Sequence, residues 1–219
     1  MASHLDLEEQ EQLDQLKHFW KTYGNLISWL LIIVLGSYAA WNGWQYWERN
    51  QAAKASALFD EVERAVLAQD LPRVERSMAD MKDKFGSTQY AHQAAALSAR
   101  SLAEAGKLEQ ARGLLAWSVE RAPQPAWRDL ARVRLAALQW ESQSADEALK
   151  TLQADFGDAT AALASDLKGD LLQAKGQTSD AVQAYRAALK GLPQDQEYRR
   201  IVQAKLGALG ADAGQENRP

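Results

Sequence analysis

The stretch "LKGDLLQAKGQTSDAVQAYRAALKGLP", Leu167 to Pro193, decides the fold. Its small and apolar residues stand at Gly169, Leu172, Gly176, Ala181, Tyr185 and Ala188, ahead of Pro193. The intervals are three, four, five, four, three and five. Steps of three and four keep side chains on one face of a helix. The five-residue step spans Gly176, where a left-handed residue ends one helix and lets another begin. Gly169 and Ala181 carry little bulk, so the two helices can approach closely, and Pro193 stops the second. The stretch therefore reads as a helix pair joined by a tight turn.

The same ladder recurs upstream in "ARSLAEAGKLEQARGLLAWSVERAP", at Ala99, Leu102, Gly106, Ala111, Leu115, Ser118 and Pro123. Both copies resemble the tetratricopeptide repeat, a helix-turn-helix unit of about 34 residues. Two weaker copies follow the pattern with a changed turn. "LAALQWESQSADEALKTLQADFG" keeps Leu135, Ala148 and Leu152 but has Gln143 in place of the glycine. "VERAVLAQDLPRVERSMADMKDKFG" keeps Val74 and Met78 with Gln69 at the turn. Aligning Val74, Ala111, Ala148 and Ala181 gives steps of 37, 37 and 33 residues. The final "EYRRIVQAKLGAL" reads as a lone helix covering the last apolar face, as the end of a solenoid requires. "GADAGQENRP" is expected to be a disordered tail.

The N-terminal fifth follows other rules. No charged residue occurs from Thr22 to Trp47, a run of 26 in a chain that is 25% charged. A bilayer core about 30 Å thick needs roughly 20 helical residues, and Asn25 to Trp44 supplies that length. A cleaved signal peptide is the rival reading, with Lys17 and Lys21 as its basic flank and Ser37–Ala39 as its cleavage site. Against it stand the 21 preceding residues, many of them polar or acidic, and the run's continuation into a Trp-rich end. An uncleaved anchor is the better reading. Trp20 and Tyr23 lie near one end, Trp41, Trp44, Tyr46 and Trp47 at the other, where half-wet aromatic rings favour the headgroup zone. Lys17 and Lys21 on one side balance Arg49 and Lys54 on the other, so basic charge leaves the orientation open. Glu48 to Ala68 is expected to continue the membrane helix into the first repeat helix.

The expected organisation is thus all-α. A tail of residues 1–21 precedes one transmembrane helix over 22–47. A tetratricopeptide-like α-solenoid of about four helix pairs plus a C-terminal capping helix fills 48–209, and a tail fills 210–219.

Nothing in this pattern converges on chemistry. The histidines His4, His18 and His92 are too far apart for a metal pairing, and there is no cysteine and no phosphate-cradling glycine loop. No catalytic, cofactor-binding or metal-ligating set is assigned. A net charge of −4 speaks against nucleic acid, and no small-molecule substrate is indicated. Stacked helix pairs instead curve to present a concave surface, lined by the first helix of each pair. Arg100, Trp140, Asp166 and Asp170 are the groove candidates, beside Gln93, Ala96, Ala103, Leu130, Val133 and Ala137. For Trp140 core packing competes with an exposed anchor, and for Arg100, Asp166 and Asp170 a solvated surface competes with partner contact. Ala99, Gly106, Ala111, Gly169, Gly176 and Ala181 are assigned to repeat packing. Trp117 and Trp127 flank the Pro123–Pro125 turn, as a patch or as a plug.

The combination of "EEQEQLDQLKHFWKTYGN", one apolar span, "GWQYWERNQAAKASALFDEV" and degenerate repeats resembles the YfgM family over nearly the whole chain. That resemblance implies a non-enzymatic inner-membrane protein, single-pass, with its acidic tail cytoplasmic and its repeats periplasmic. It implies an ancillary subunit of the SecYEG translocon that partners the chaperone PpiD and helps hand emerging chains to periplasmic chaperones. It carries over no catalytic or ligand residue. Two alternatives stand beside it. One is a scaffold for another envelope assembly machinery; the other is a regulator acting through the acidic tail, where Asp6 to Asp14 and nearby leucines could form a short binding helix.

Overall fold

The computed structural model describes residues 7–211. Residues 1–6 of the acidic tail and 212–219 of the expected C-terminal tail lie outside the described residues. Among the described residues are nine helices and no strand: α1 (Leu7–Leu67), α2 (Leu71–Phe85), α3 (Gln89–Glu104), α4 (Leu108–Arg121), α5 (Pro125–Glu141), α6 (Ala145–Thr151), α7 (Asp158–Ala174), α8 (Thr178–Gly191) and α9 (Glu197–Ala208). The chain divides into two units, up to Asn50 and from Gln51 onward.

The first unit is helical throughout its described length. No proline interrupts it, and Gly24 is covered by the Trp20 ring, 3.3 Å from where a Cβ would stand. The apolar segment is a candidate membrane span, and only 6% of its most apolar window is buried. A core helix of a soluble domain would be largely buried, so that origin of the apolar run fails. Its polar side chains bond back to the helix: Thr22 Oγ1 donates to the His18 carbonyl at 2.9 Å, Ser37 Oγ to Ile33 at 2.7 Å, and Asn42 Nδ2 to Tyr38 at 2.9 Å. That satisfies donors for which a bilayer core offers no other partner. The helix shows no break at residues 21–22, where the tail was expected to end.

The second unit stacks helix pairs. The α1 residues from Gln51 pair with α2, then α3 with α4, α5 with α6 and α7 with α8, and α9 closes the series. The first helices touch in turn, α3 with α5 and α5 with α7. All four intra-pair turns are alike. Gln69, Gly106, Gln143 and Gly176 have φ of +55°, +76°, +61° and +74°. In each, the next residue's N–H reaches back over the helix end: Asp70 to Ala65, Lys107 to Leu102, Ser144 to Gln139 and Gln177 to Leu172, at 2.8–3.0 Å. No heavy atom would crowd a Cβ at Gly106 or Gly176, so backbone conformation rather than space calls for glycine there. The two glutamines hold the same turn at a cost of about 1 kcal/mol each. Gly210 repeats the motif after α9, with φ +71° and Ala211 N–H bonding to Leu206. Gly210 and Ala211 therefore belong to the cap rather than to a tail.

Small residues set the helix spacing. Ala99 and Ala111 are buried in one cluster with Leu102, Leu115 and Leu138. Ala181 lies with Tyr185, Ala188, Val202 and Leu206 in another, which α9 completes. Gly169 faces Tyr185 so closely that a Cβ would stand 2.5 Å from its ring. The third pair is truncated, because α6 has only seven residues. The Asp129 carboxylate on α5 compensates: it accepts from Gly157 N–H at 3.0 Å at the start of α7 and pairs with Arg132 at 3.0 Å.

His92, read as an isolated histidine in the sequence, is a packed joint between α3 and α4. It is 1% exposed, its Nδ1 lies 3.0 Å from Ser118 Oγ, and its ring stacks on Trp117 with centroids 4.8 Å apart. Lys82 sits over the same indole, 5.3 Å from its centroid. Burial pushes the imidazole pKa down, against the Gly86 carbonyl, which raises it. The folded state therefore resists protonation that the unfolded chain accepts at about pH 6.5. Stability should fall as pH drops below that point, by up to about 1.4 kcal/mol per pH unit for one proton. Thermal unfolding from pH 8 to 5 should show this loss in the parent and a flatter profile in His92→Gln. Parallel profiles would assign the acid sensitivity elsewhere.

Candidate partner-binding groove

The first helices α3 and α5 of neighbouring pairs line a cavity of about 740 Å³. Alanines make its floor deep: Ala96, Ala99 and Ala103 from α3 and Ala137 from α5. Leu97, Leu115, Leu130 and Leu138 make it apolar. Gln93, Arg100, Glu104, Arg134 and Glu141 are its polar lining, and Trp127 completes it. A concave apolar site with few polar groups is the usual form of a recognition site.

Six expected groove residues line this cavity: Gln93, Ala96, Arg100, Ala103, Leu130 and Ala137. Arg100 is committed locally, since its Nε donates to Glu104 at 2.8 Å on the exposed surface. Val133 and Trp140 do not line it. They pack with Ala136, Ala148 and Leu152 against α6, so Trp140 is a half-buried core residue and not an exposed anchor. On α5 the line through Leu130 and Ala137 faces the groove, and the line through Val133 and Trp140 faces its own partner helix.

The expectation for Asp166 and Asp170 is also corrected. Asp166 is 2% exposed and lies under the capping helix. Lys205 Nζ donates to both its oxygens at 2.9 Å and to Asp170 at 2.8 Å. Tyr198 OH donates to Asp166 at 2.5 Å, and Tyr185 OH to Asp170 at 2.7 Å. Burial and the neighbouring carboxylates push both phenols up. Neither aspartate is free to meet a partner, because α9 covers the end of the last pair and engages both through Lys205.

Eight lining residues lie outside the expected groove set; the polar and aromatic ones among them are Trp127, Arg134, Glu141 and Glu104. Trp127, Arg134 and Glu141 stand seven apart, a spacing that repeats one face of a helix and marks them as one line. Trp127 is thus separated from Trp117, which belongs to the His92 joint. Arg134 is solvent-accessible, yet the protein around its guanidinium pushes its pKa down through desolvation, the sole cause acting on it. Among the described residues, no ion pair includes Arg134 or Glu141.

The aromatic residues of the first unit stand out from its helix. Trp20, Tyr23, Trp41, Trp44, Tyr46 and Trp47 are all exposed, and Trp44 and Trp47 lie against each other with centroids 5.4 Å apart.

Residues 17–211 match the tetratricopeptide repeat-like domain family. The chain is similar to the ancillary SecYEG translocon subunit of Neisseria gonorrhoeae, 30% identical over 210 residues that cover 95% of this chain and 100% of the relative. It is similar also to those of Escherichia coli, 27% identical with 83% and 87% covered, and Haemophilus influenzae, 28% identical with 83% and 89% covered.

Proposed function

This chain belongs to the YfgM family of ancillary SecYEG translocon subunits with a tetratricopeptide repeat-like domain, and from that premise we propose that it links the translocon to a periplasmic chaperone. It acts as a translocon-associated inner-membrane protein that works by binding other proteins. Residues 1–21 face the cytoplasm, residues 22–47 span the bilayer, and the repeats from residue 48 onward work in the periplasm. Trp20 and Tyr23 set one headgroup level, and Trp41, Trp44, Tyr46 and Trp47 set the other. The groove between α3 and α5 holds a segment of a PpiD-like chaperone or of an emerging chain.

The observation that carries this reading is the groove itself, an apolar cavity about 740 Å³ in size built from two stacked first helices. Without catalytic convergence beside it, binding is the function such a cavity performs. A photo-crosslinking residue at Leu130 in the full chain, activated in native membranes, tests the reading by the adducts it yields.

A further inference from the structure

We propose that the occupant of the α3–α5 groove is an amphipathic helical segment of a protein partner. Its apolar face carries a carboxylate that pairs with Arg134 and, seven residues away, a cation that pairs with Glu141. The proposal rests on the groove reading above and adds the chemistry of the occupant.

The first support is the imbalance of charge on the two groove walls. On α3, Arg100 and Glu104 neutralise each other at 2.8 Å. On α5, Arg134 and Glu141 line the same cavity without an ion-pair partner among the described residues. Arg134 is exposed along that wall, and the surrounding protein lowers its pKa. A carboxylate arriving with the partner supplies the missing charge. Glu141 asks for the opposite sign, so the wall prefers a segment carrying both.

The second support is spacing. Arg134 and Glu141 are seven residues apart, about 10 Å along α5 at 1.5 Å per residue, and within about 20° of the same face. A helical partner lying along the groove repeats that geometry, since its own residues seven apart share a face at the same distance. An extended partner covers about 10 Å in three residues, and side chains three apart in a strand point to opposite sides. Strand residues that do share a side lie about 7 or 13 Å apart, so an extended partner fits the spacing less well. Between the two charges the floor offers Ala137 and Leu138, and one further step back are Leu130 and Trp127, which suit small or apolar side chains on the partner. The alanines of the floor let a helix approach closely, as small residues do within this domain's own pairs.

The test uses the full chain in detergent micelles and three labelled helical peptides of one Ala- and Leu-rich sequence. They differ only at two positions seven apart: Glu with Lys, Gln with Gln, or Lys with Lys. The parent should bind the Glu/Lys peptide about threefold to tenfold more tightly than Gln/Gln, the size of a partly screened ion pair. Lys/Lys, attracted by Glu141 but repelled by Arg134, should bind about as weakly as Gln/Gln. In Arg134→Glu the Lys/Lys peptide should become the tightest, and in Arg134→Gln the Glu/Lys and Lys/Lys peptides should bind alike, both above Gln/Gln. Circular dichroism checks that both variants keep their helices. Equal binding of all three peptides, still abolished by Leu130→Asp, would overturn the charge assignment and leave the groove reading standing. Binding indifferent to Leu130→Asp would overturn the groove reading and this proposal together. Displacement of the peptides by unlabelled copies of the chain, with no charge preference, would assign the groove to self-contact and overturn the proposal.

Discussion

Replacing Lys205 by Met is expected to destabilise the repeat domain by about 2–3 kcal/mol and to release α9 first. Lys205 reaches back 35 and 39 residues to bond Asp170 and Asp166 at 2.8 and 2.9 Å, and its ammonium lies 5.5 Å from the Tyr185 ring centroid. The Asp166 side chain is only 4% exposed, against 24% for Asp170 and 26% for Lys205. Removing the cation leaves two carboxylates together with only phenol donors. Breaking a fully buried pair costs about 3–5 kcal/mol, and the partial exposure here lowers that figure. Denaturant unfolding measures the loss, and hydrogen exchange should show Glu197–Ala208 opening before α3–α5. Uniform loosening, or a loss below about 1 kcal/mol, would contradict a latch at this point.

The same cluster fixes the sign of the alkaline response. Burial lowers the Lys205 pKa, but hydrogen bonds to Asp170 and Asp166 and their charges outweigh it, so the net shift is upward. A cation whose folded pKa is raised contributes stability that is complete below its ordinary value, about 10.5, and is lost as pH climbs past it. Tyr185 and Tyr198, held neutral above their ordinary value, act in the same direction. Alkaline unfolding should therefore begin near pH 10 and should be blunted in Lys205→Met.

Gly169→Ala is expected to destabilise by about 1–3 kcal/mol, although alanine is the better helix former by about 1 kcal/mol. The new Cβ would stand 2.5 Å from Tyr185 Cε1 and 2.6 Å from Cδ1. Tyr185 cannot swing aside, because it is fully buried and its hydroxyl is held by Asp170 at 2.7 Å and by Gln173 at 2.8 Å. The two helices must part instead. Gly113→Ala is the internal control, since nothing lies within 4 Å of the added atom and Gly113 is exposed on α4. The control should be neutral or stabilising in thermal melts, and a stabilised Gly169→Ala would contradict the close packing.

Most of the architecture could be read from residues whose meaning is local. Gly106 and Gly176 declare a left-handed turn through their own chemistry, and the uncharged run from Thr22 to Trp47 declares its length. Gln69 and Gln143 mark turns only by register with the better repeats, since glutamine carries no signal for a positive φ. The short α6 was not legible. Its residues have ordinary helix propensity, and what replaces its missing turns is Asp129, 28 residues before the Gly157 N–H that it accepts. Asp166 and Asp170 were misplaced for a related reason: their burial depends on where α9 lands, and a repeat pattern does not say how its end is covered. On α5 the seven-residue line was assigned partly to the wrong face, which brought in Trp140 and omitted Arg134. Nothing local distinguishes the lines 130/137 and 133/140 until the position of α6 is known.

The concave α3–α5 surface is proposed to bind protein at the translocon, and one comparison decides this. That binding is tested most directly by photo-crosslinking in native membranes, comparing a probe at Leu130 in the groove with one at Ile201, exposed on α9 at 52%. Adducts containing a translocon subunit, a periplasmic chaperone or an emerging chain should form from Leu130 and be much weaker from Ile201. Equal yields from both positions, or adducts only with components of another envelope machinery, would contradict it.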